Sequence, residues 1–272
     1  MPPSAEPPRL QGLIDSHCHL DYPPAAEDFE ATLARAREAG IEALIHVGCD
    51  PERFDPALEI AQRARGHMPV YVALGVHPHA AKDLTDDIMA RLEREWERPE
   101  VVALGETGLD YYYDNSPREA QRDALVRHAQ LARRLGAPLV LHIRDAHDEA
   151  LEILAREPGR DEAPGVVHCF TGTPDEARRW LELGYDLSFS GIATFKTAED
   201  LRIAAGECPA DRIHVETDAP FLAPIPMRGR KNQPANVAFT CAALAAVRGQ
   251  SAESLAAQCA QNTRRLFGLP EA

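Results

Sequence analysis

Long apolar runs, paired cysteines and a surplus of positive charge are all missing from this 272-residue chain. No apolar run approaches the roughly 18 residues of a membrane-spanning helix, and the opening residues MPPSAEPP lack the basic and apolar regions of a signal peptide. The six cysteines include no CxxC pair, and a chain of this length needs no disulfide bonds to stabilise its core. We therefore expect a soluble cytoplasmic protein with free thiols and no membrane contact, and a disordered tail over residues 1–11.

The acidic balance limits the partners that the chain can bind. Lysine and arginine together number 29 against 43 acidic residues, so the formal net charge is -14. A protein that grips long duplex DNA usually presents a basic face, and this composition argues against such binding. It does not exclude a nuclease that takes a strand end, because bound divalent cations reverse the local charge of a site.

Short apolar runs alternate with helical patterns along the whole chain. The first predicted strand lies within residues 13–21, and seven more are predicted at residues 42–48, 69–79, 101–106, 138–142, 165–170, 185–190 and 212–218. Helices are predicted at residues 28–39, 51–65, 83–96, 117–135, 235–248 and 252–267. Eight short strands separated by helices fit a closed parallel barrel better than an open sheet. We predict an α/β fold with a single TIM (β/α)8 barrel over residues 12–268, since no linker or internal repeat indicates a second domain.

Polar residues that bind metals end several of these strands. They are His17, His19, Glu106, His142, His168 and Asp218. TIM barrels carry their chemistry at the carboxyl ends of the strands, so we expect the six side chains to converge there. The spacing of two between the first histidines points both to one face of a strand, and the glycines on either side of Glu106 allow other ligands a close approach. The alternative is a set of core histidines whose nitrogens bond to the backbone.

Imidazole and carboxylate ligands in this number indicate a two-metal site. Such a set suits Zn²⁺, Mn²⁺, Co²⁺ or Ni²⁺, and with water it also accepts Mg²⁺. Six ligands exceed the three of a typical catalytic zinc site, so we predict two divalent cations per chain. The natural division places His17, His19 and Asp218 on one cation and His142 and His168 on the other, with Glu106 bridging. Cations about 3.5 to 4 Å apart would serve hydrolysis of a phosphodiester or of an amide.

Both carboxylates of this set are also candidate catalytic groups, and a third candidate, His77, belongs to a motif described below. Glu106 would act as the bridge between the cations, and Asp218 would take a proton from the attacking water and return it to the leaving group. For Asp218, the alternative of a ligand without a role in proton transfer stays open.

Six short motifs follow one another along the chain. They are DSHCHLD at 15–21, GVHPH at 75–79, GETGLD at 105–110, HIRDA at 142–146, HCFTG at 168–172 and ETDAPFLAP at 216–224. In this order they resemble the motifs of the TatD-like metal-dependent hydrolases of the amidohydrolase superfamily, over about residues 12 to 268. The resemblance implies a TIM barrel with a divalent-metal site and a 3′ to 5′ exodeoxyribonuclease acting on single-stranded ends through a water that the metal activates. By motif match, the family's metal ligands fall on the same six residues.

Two further histidines belong to one of these motifs. His77 ends the third predicted strand at the same barrel mouth, and we expect it to hydrogen-bond to the scissile phosphate or to water at the site. Packing of the loop is the alternative, and His79 beyond the proline is the weaker candidate. His46 and His214 lie inside apolar strands without a motif and are interpreted as structural.

Basic residues supply the predicted contacts to substrate. Arg144 directly follows the strand of His142 and is expected to meet a phosphate, or else to pair with a neighbouring acid. Its neighbour Asp145 is a candidate for a supporting hydrogen bond. The loop after the eighth strand, residues 224–234, gathers three cations that would bind flanking phosphates or would simply be solvated: Arg228, Arg230 and Lys231. Tyr111, Tyr112 and Tyr113 would stack a terminal base or pack over the barrel rim.

Three functions are therefore open from the sequence. The leading one is a metal-dependent phosphodiesterase whose partner is nucleic acid, DNA ends and possibly RNA, with no obligate protein partner. The second is an amide or acyl hydrolase on the same scaffold, including deacylation of the D-aminoacyl-tRNA type, because fold and metals do not choose the bond. The third, a scaffold without catalysis, does not explain six metal ligands on five strands.

Overall fold

The computed structural model describes residues 6–162 and 164–271. Its sheet has eight parallel strands, paired in the order in which they occur in the chain. These strands are β1 Leu13–Cys18, β2 Ile41–Gly48, β3 Val70–Leu74, β4 Val101–Asp110, β5 Leu139–Arg144, β6 Gly165–Val167, β7 Asp186–Phe189 and β8 Ile213–Val215. The predicted TIM barrel is thus confirmed.

Bonds between the first and last strand regions close the barrel. The amide of His19 donates to the Ala219 carbonyl at 2.7 Å, and the amide of Asp218 donates to the His17 carbonyl at 2.9 Å. These bonds lie beyond the regular part of β8. They place two of the predicted ligand segments side by side at the carboxyl end of the barrel.

Helices cover the outside of the sheet between successive strands. They are α1 Phe29–Glu38, α2 Phe54–Arg63, α3 Asp86–Glu95, α4 Arg118–Leu135, α5 His147–Arg156, α6 Pro174–Glu182, α7 Glu199–Glu207, α8 Val237–Val247 and α9 Ala252–Phe267. Their caps follow ordinary chemistry: Thr173 and Glu176 form a capping box at the start of α6, and Gly136 ends α4 in the left-handed region. No helix among the described residues is long and apolar enough to span a bilayer.

Two layers of apolar side chains form the core. Alternate residues of the strands, such as Ile14, Ile45 and Val140, fill the barrel interior, while Leu44 and Leu139 belong to the larger cluster between the strands and the helices. This alternation is the period of two that a strand buried on both faces requires. All six cysteines, each within the described part of the chain, are unpaired, as their spacing predicts.

Several predicted boundaries are wrong by a few residues. The third strand ends at Leu74 rather than at His79, because the chain turns into a 3-10 helix that begins at Pro78, which has no amide proton to donate to a sheet. The strands predicted to end at residues 170 and 218 end at Val167 and Val215, and β4 instead continues to Asp110. The metal-binding candidates therefore lie on the turns after short strands as often as on the strands themselves.

The boundary of the predicted tail also needs correction. Leu10 is buried, its amide donates to the Ala39 carbonyl at 2.9 Å, and its side chain belongs to the outer apolar layer. The packed chain thus begins at least two residues before the predicted start at residue 12. Residues 1–5 of the predicted tail lie outside the described residues.

Candidate metal centre

The two histidines of the first motif face the barrel mouth together, as their spacing predicts. His17 is fully buried on β1, and His19 follows the last residue of that strand. Their Nε2 atoms lie 3.8 Å and 3.4 Å from Oδ1 of Asp218. His19 donates from Nδ1 to the Val47 carbonyl at 3.1 Å, because a carbonyl can only accept. This bond leaves the Nε2 lone pair of His19 directed at the cluster.

Glu106 lies at the centre of the cluster. Its Oε2 is 3.5 Å from Nε2 of His17, whereas its Oε1 is 2.9 Å from Nδ1 of His142 and 2.8 Å from Nε2 of His168. The two carboxylate oxygens thus face different histidines, which is the geometry of a bridge. A Cβ atom added to Gly108 would lie 2.0 Å from the His142 carbonyl oxygen, so a glycine is required there for β4 to pack this closely against β5.

Two buried carboxylates support the second pair of histidines. His142 donates from Nε2 to Oδ2 of Asp110 at 3.1 Å, and His168 donates from Nδ1 to Oε1 of Glu216 at 3.2 Å. Both carboxylates are fully buried. Each bond selects the tautomer whose other nitrogen faces Glu106, which is how outer carboxylates orient metal-binding imidazoles.

The last motif holds Asp218 in place through the backbone. Asp218 has a φ of +53°, and its side chain is 13% exposed toward the barrel mouth. The preceding Thr217 donates its amide and its hydroxyl to the two carboxylate oxygens of Asp15, at 2.9 Å and 2.5 Å. Burial raises the pKa of Asp15 to about 8, even though the bonds from Thr217 act in the opposite direction. A buried polar network thus sets the conformation that presents Asp218.

The pKa values of Glu106 and His168 are set by the neighbouring side chains of the cluster. Burial alone would raise the pKa of Glu106, but the imidazoles of His168, His77 and His142 hold that pKa well below its usual value. Burial lowers the pKa of His168, yet Glu106 and Glu216 raise it well above its usual value. In the absence of cations, Glu106 is therefore ionised and His168 carries the balancing proton.

The donor set fits divalent cations. Neither Glu106 nor Asp218 is paired with a lysine or an arginine among the described residues, and both ring nitrogens of His17 are buried without a hydrogen-bond partner. Groups of three donor atoms within 4.8 Å of one another recur through the cluster, including His17 with His168 and Asp218. A bound cation would use the lone pair of one of these imidazole nitrogens, beside an ionised carboxylate.

Asp110 and Glu216 are functional candidates that the sequence analysis named only as parts of motifs. Their signal was present, since Asp110 lies four residues after Glu106 on one strand and Glu216 lies two residues before Asp218. Glu106 and Asp110 both lie on β4, where an even spacing keeps two residues on one face, whereas Glu216 and Asp218 follow the end of β8. Which histidine nitrogen each carboxylate meets depends on contacts between strands, which spacing along the chain does not reveal.

His77 and His79 lie beside the cluster and differ in their contacts. His77 accepts the His79 amide proton at Nδ1 over 3.1 Å, so its Nε2 carries the proton, 3.5 Å from Oε1 of Glu106. Burial and the neighbouring imidazole of His142 lower the pKa of His77 well below its usual value, which keeps this ring neutral. His79 instead contacts Asp110 through Nε2 at 2.9 Å. His77 is thus suited to donate a hydrogen bond to a ligand.

The two histidines interpreted as structural lie in enclosed positions. His46 is fully buried and accepts the Leu20 amide proton at Nδ1 over 3.1 Å. His214 contacts Asp186 and Thr263 at 2.9 Å and 3.0 Å. Neither residue lines the cavity above the cluster.

A cavity of about 930 Å³ opens above the six residues. Arg144 lines it, and among the described residues this guanidinium has no carboxylate partner, so the predicted alternative of an acid pair is not found. Its neighbour Asp145 is exposed at the same wall, without a hydrogen bond to the cluster among the described residues.

The basic loop lies farther out than the cavity wall. All three of its predicted contact residues are exposed and outside the cavity lining: Arg228, Arg230 and Lys231. Arg228 stacks on Phe195, with its guanidinium carbon 4.4 Å from the ring centre. The structure therefore brings the six metal-binding candidates, His77 and Arg144 together and leaves the basic loop at the periphery.

Comparisons with known proteins agree with this geometry. Residues 14–268 match the family model described as TatD related DNase. The chain is 40% identical over 259 residues to the uncharacterized metal-dependent hydrolase YcfH of Escherichia coli strain K12, covering 94% of this chain and 95% of the relative. It is also 37% identical over 264 residues to the 3'-5' ssDNA/RNA exonuclease TatD of Erwinia billingiae, with 95% of this chain and 100% of that protein covered.

A solved structure extends the agreement to the backbone. The crystal structure of YjjV, a TatD homologue from Escherichia coli K12, superposes with a TM-score of 0.87 at 35% identity, covering 95% of this chain and 99% of that one. Fold, motif order and the convergence of the six side chains thus point the same way. This chain belongs to the TatD family of metal-dependent hydrolases.

Proposed function

We propose that the protein is a divalent-metal-dependent phosphodiesterase that removes nucleotides from single-stranded nucleic-acid ends in the 3′ to 5′ direction. The observation that carries the proposal is the bridging position of Glu106, whose two oxygens face different histidines on the floor of an open cavity. Arg144, in the wall of this cavity, has no carboxylate partner among the described residues. A relative 37% identical to this chain is named as a 3'-5' ssDNA/RNA exonuclease, which supports the same substrate class.

The cluster divides naturally between two cations, and we propose that it holds both. His17, His19 and Asp218 would bind one, His142 and His168 the other, and Glu106 would be shared. Bound divalent cations supply positive charge to a phosphodiester and lower the pKa of water. The histidines of the set favour Zn²⁺ and its carboxylates suit Mn²⁺, while Mg²⁺, Ni²⁺ and Co²⁺ are compatible with it.

Residues of the chain supply the remaining chemistry in this proposal. Asp218, the carboxylate of the cluster that is most open to the cavity, takes the proton of the attacking water and returns it to the leaving oxygen. His77 donates a hydrogen bond from Nε2 to a phosphate oxygen, because its Nδ1 already accepts a hydrogen bond from the His79 amide. Arg144 places its charge beside the same phosphate and orients the strand.

The test is digestion of single-stranded DNA labelled at its 5′ end. Protein treated with a chelator receives Mg²⁺, Mn²⁺ or Zn²⁺ separately, and the expected result is stepwise shortening from the 3′ end that returns with metal. Asp218→Asn is the matched variant, since it keeps the size and removes the charge, and it should leave the strand intact. An RNA strand of the same sequence shows whether the sugar matters.

Two results would contradict the proposal. Shortening that persists in Asp218→Asn would point to a contaminating nuclease or to another catalytic carboxylate. A wild-type protein that binds two metals yet cleaves no strand with any cation would instead favour the acyl or amide hydrolase, which ester and amide substrates would then test.

A further inference from the structure

Two aromatic pairs, each with an arginine, lie on the wall of the metal cavity. The first pair is Tyr22 and Phe221, whose rings meet edge to face at 5.9 Å, with Arg53 lying over Tyr22 at 4.3 Å. In the second pair, Tyr112 and Tyr113 meet edge to face at 4.8 Å. Arg144 lies 3.9 Å and 4.9 Å from the centres of these two rings.

The topology places the two pairs on opposite sides of the barrel. Tyr22 follows β1 and Phe221 follows β8, whereas Tyr112 and Tyr113 follow β4. In a closed barrel of eight strands paired in chain order, β8 and β1 lie across from β4 and β5. Any ligand that spans the cavity over Glu106 therefore has an aromatic pair at each end.

Contacts with the cluster confirm that both pairs adjoin it. The rings of Tyr22 and Phe221 lie 5.9 Å and 6.2 Å from the imidazole of His19. Tyr113 lies 5.4 Å from the imidazole of His79, which shares Asp110 with His142. The first pair thus adjoins one half of the predicted two-metal site, and the second adjoins the other half.

Three of these four aromatic rings are open to solvent, and the fourth, Tyr22, is partly exposed. Tyr112 and Tyr113 are 59% and 55% exposed and Phe221 is 47% exposed, whereas the other exposed large apolar side chains of the described residues are aliphatic and lie elsewhere. Exposed apolar surface collected at one cavity is typical of a binding site rather than of a core.

The two arginines differ in what they can still bind. Arg53 forms an ion pair with Asp21. Arg144 has no carboxylate partner among the described residues and is held only by the tyrosine rings. The second pair therefore offers a phosphate a free charge beside an aromatic face, whereas the first offers mainly an aromatic face.

We propose that each aromatic pair holds one base, so that the two nucleotides joined by the scissile bond are splayed to opposite sides of the cavity. This inference rests on the proposed nuclease function and specifies its substrate. Single strands accept such splaying, because aromatic rings replace the stacking that neighbouring bases lose. A paired duplex end would have to unstack and unpair first. The pairs thus select single-stranded ends with bases on both sides of the cleaved bond.

Oligonucleotides that carry one abasic residue test the proposal. The abasic residue occupies the last, the second or the third position from the 3′ end, and the rate of release of the first nucleotide is measured. We expect the wild-type protein to lose about 5- to 150-fold at each of the first two positions and little at the third.

Paired variants show which side chains cause that loss. The double variant Tyr22→Leu with Phe221→Leu should no longer distinguish base from abasic residue at one of the two positions. The double variant Tyr112→Leu with Tyr113→Leu should lose discrimination at the other. Tyr71→Leu, a partly exposed tyrosine near the amino end of β3, is the matched control and should discriminate like the wild type.

A strand that is abasic at both positions distinguishes a loss of base binding from misfolding of the double variants. On this strand the wild type has no base to bind at either position, so each double variant should lose less rate relative to the wild type than it loses on the unmodified strand, and circular dichroism should show an unchanged barrel. Equal wild-type rates on all single abasic strands would overturn the inference and leave the nuclease function intact. A wild-type protein that cleaves no strand at all would overturn both. Loss of discrimination at the same position in both double variants would contradict the assignment of one base to each pair.

Discussion

Two buried carboxylates in this barrel have opposite surroundings. Glu106 lies at the carboxyl end of the barrel, facing four imidazoles and no lysine or arginine among the described residues. Asp186, at the start of β7, forms ion pairs with Arg212 and, at 2.7 Å, with Arg265, and it contacts Nε2 of His214 at 2.9 Å. Both side chains are almost completely removed from solvent.

The difference lies in whether the chain supplies its own cation. Guanidinium groups stay charged at any ordinary pH, so the charge of Asp186 is compensated permanently from within the fold. Imidazoles can give up their protons, and the side chains around Glu106 can therefore exchange protons for metal ions. A buried carboxylate with arginine partners indicates a structural cluster, whereas one with only imidazole partners indicates a place for an external cation.

The substitution Glu106→Gln should have the largest effect. It removes the shared charge of the cluster and keeps the size of the side chain. We expect metal-dependent hydrolysis to fall by more than about 100-fold, because residues that only support metal ligands already change activity by about 10- to 100-fold. Turnover with saturating metal is the measurement. Circular dichroism should show an unchanged barrel, and wild-type turnover in the variant would contradict the assignment.

Asp186→Asn should lower the stability of the protein and leave its activity unchanged. Without this carboxylate, two guanidinium groups lose their buried partner, and we expect the free energy of unfolding to fall by about 3 kcal/mol. This loss is at the lower end of the range for breaking a buried ion pair, because both arginine side chains are partly exposed to solvent. Urea unfolding measures it, and activity per folded molecule should be unchanged.

A matched control uses an exposed pair of the same type. Asp175 pairs with Arg178 on the surface of α6, where both side chains are more than half exposed. Asp175→Asn should cost less than about 1 kcal/mol. If Asp186→Asn cost no more than this control, the contrast between structural and metal-binding clusters would lose its basis.

Substitutions at Glu216 should weaken metal binding in two steps. Glu216→Gln keeps an acceptor for Nδ1 of His168 but removes the charge, and Glu216→Ala removes both. We expect cation affinity to fall by about 10-fold in the first variant and about 100-fold in the second. Competition with a chromophoric chelator measures both values. Equal affinity in all three proteins would show that this carboxylate does not orient its histidine.

The pH dependence of metal affinity should be the most gradual effect, spread over several pH units. Burial lowers the pKa of His168, but Glu106 and Glu216 have the larger effect and raise this pKa well above its usual value. A cation must therefore displace a proton from His168. Affinity should therefore rise with pH, by up to about tenfold per unit for one displaced proton. Chelator competition at pH 6, 7 and 8 gives the slope. Glu216→Ala should flatten it, and a slope of the opposite sign would contradict this protonation scheme.

The sequence predicted the barrel and the six cluster residues because both follow from local patterns. Apolar runs separated by helices indicate parallel strands, and side chains at the ends of parallel strands must meet at one end of a barrel. His142 and His168 were identified in this way, although they are 26 residues apart. The partners Asp110 and Glu216 were not assigned roles, since their contacts are made across strands.

For the basic loop after β8, the sequence assigned a role to residues that the structure places outside the cavity lining. Its position after β8 suggested contact with the site, yet Arg228, Arg230 and Lys231 lie outside the cavity lining. A long loop can leave a strand end in many directions, and its path depends on packing with distant residues such as Phe195. Contact between these three side chains and the flanking phosphates of a bound strand therefore stays a prediction.

The sequence by itself determined the fold class, the end of the barrel that carries the chemistry and the type of donor atoms, because strand period and motif spacing are local properties. Only the tertiary structure decided that Glu106 faces two groups of histidines and that Asp186 is neutralised by arginines. It also decided which aromatic rings stand across the cavity from each other. The physical reason is that tautomers, ion pairs and ring contacts depend on distances between atoms that are far apart in the chain.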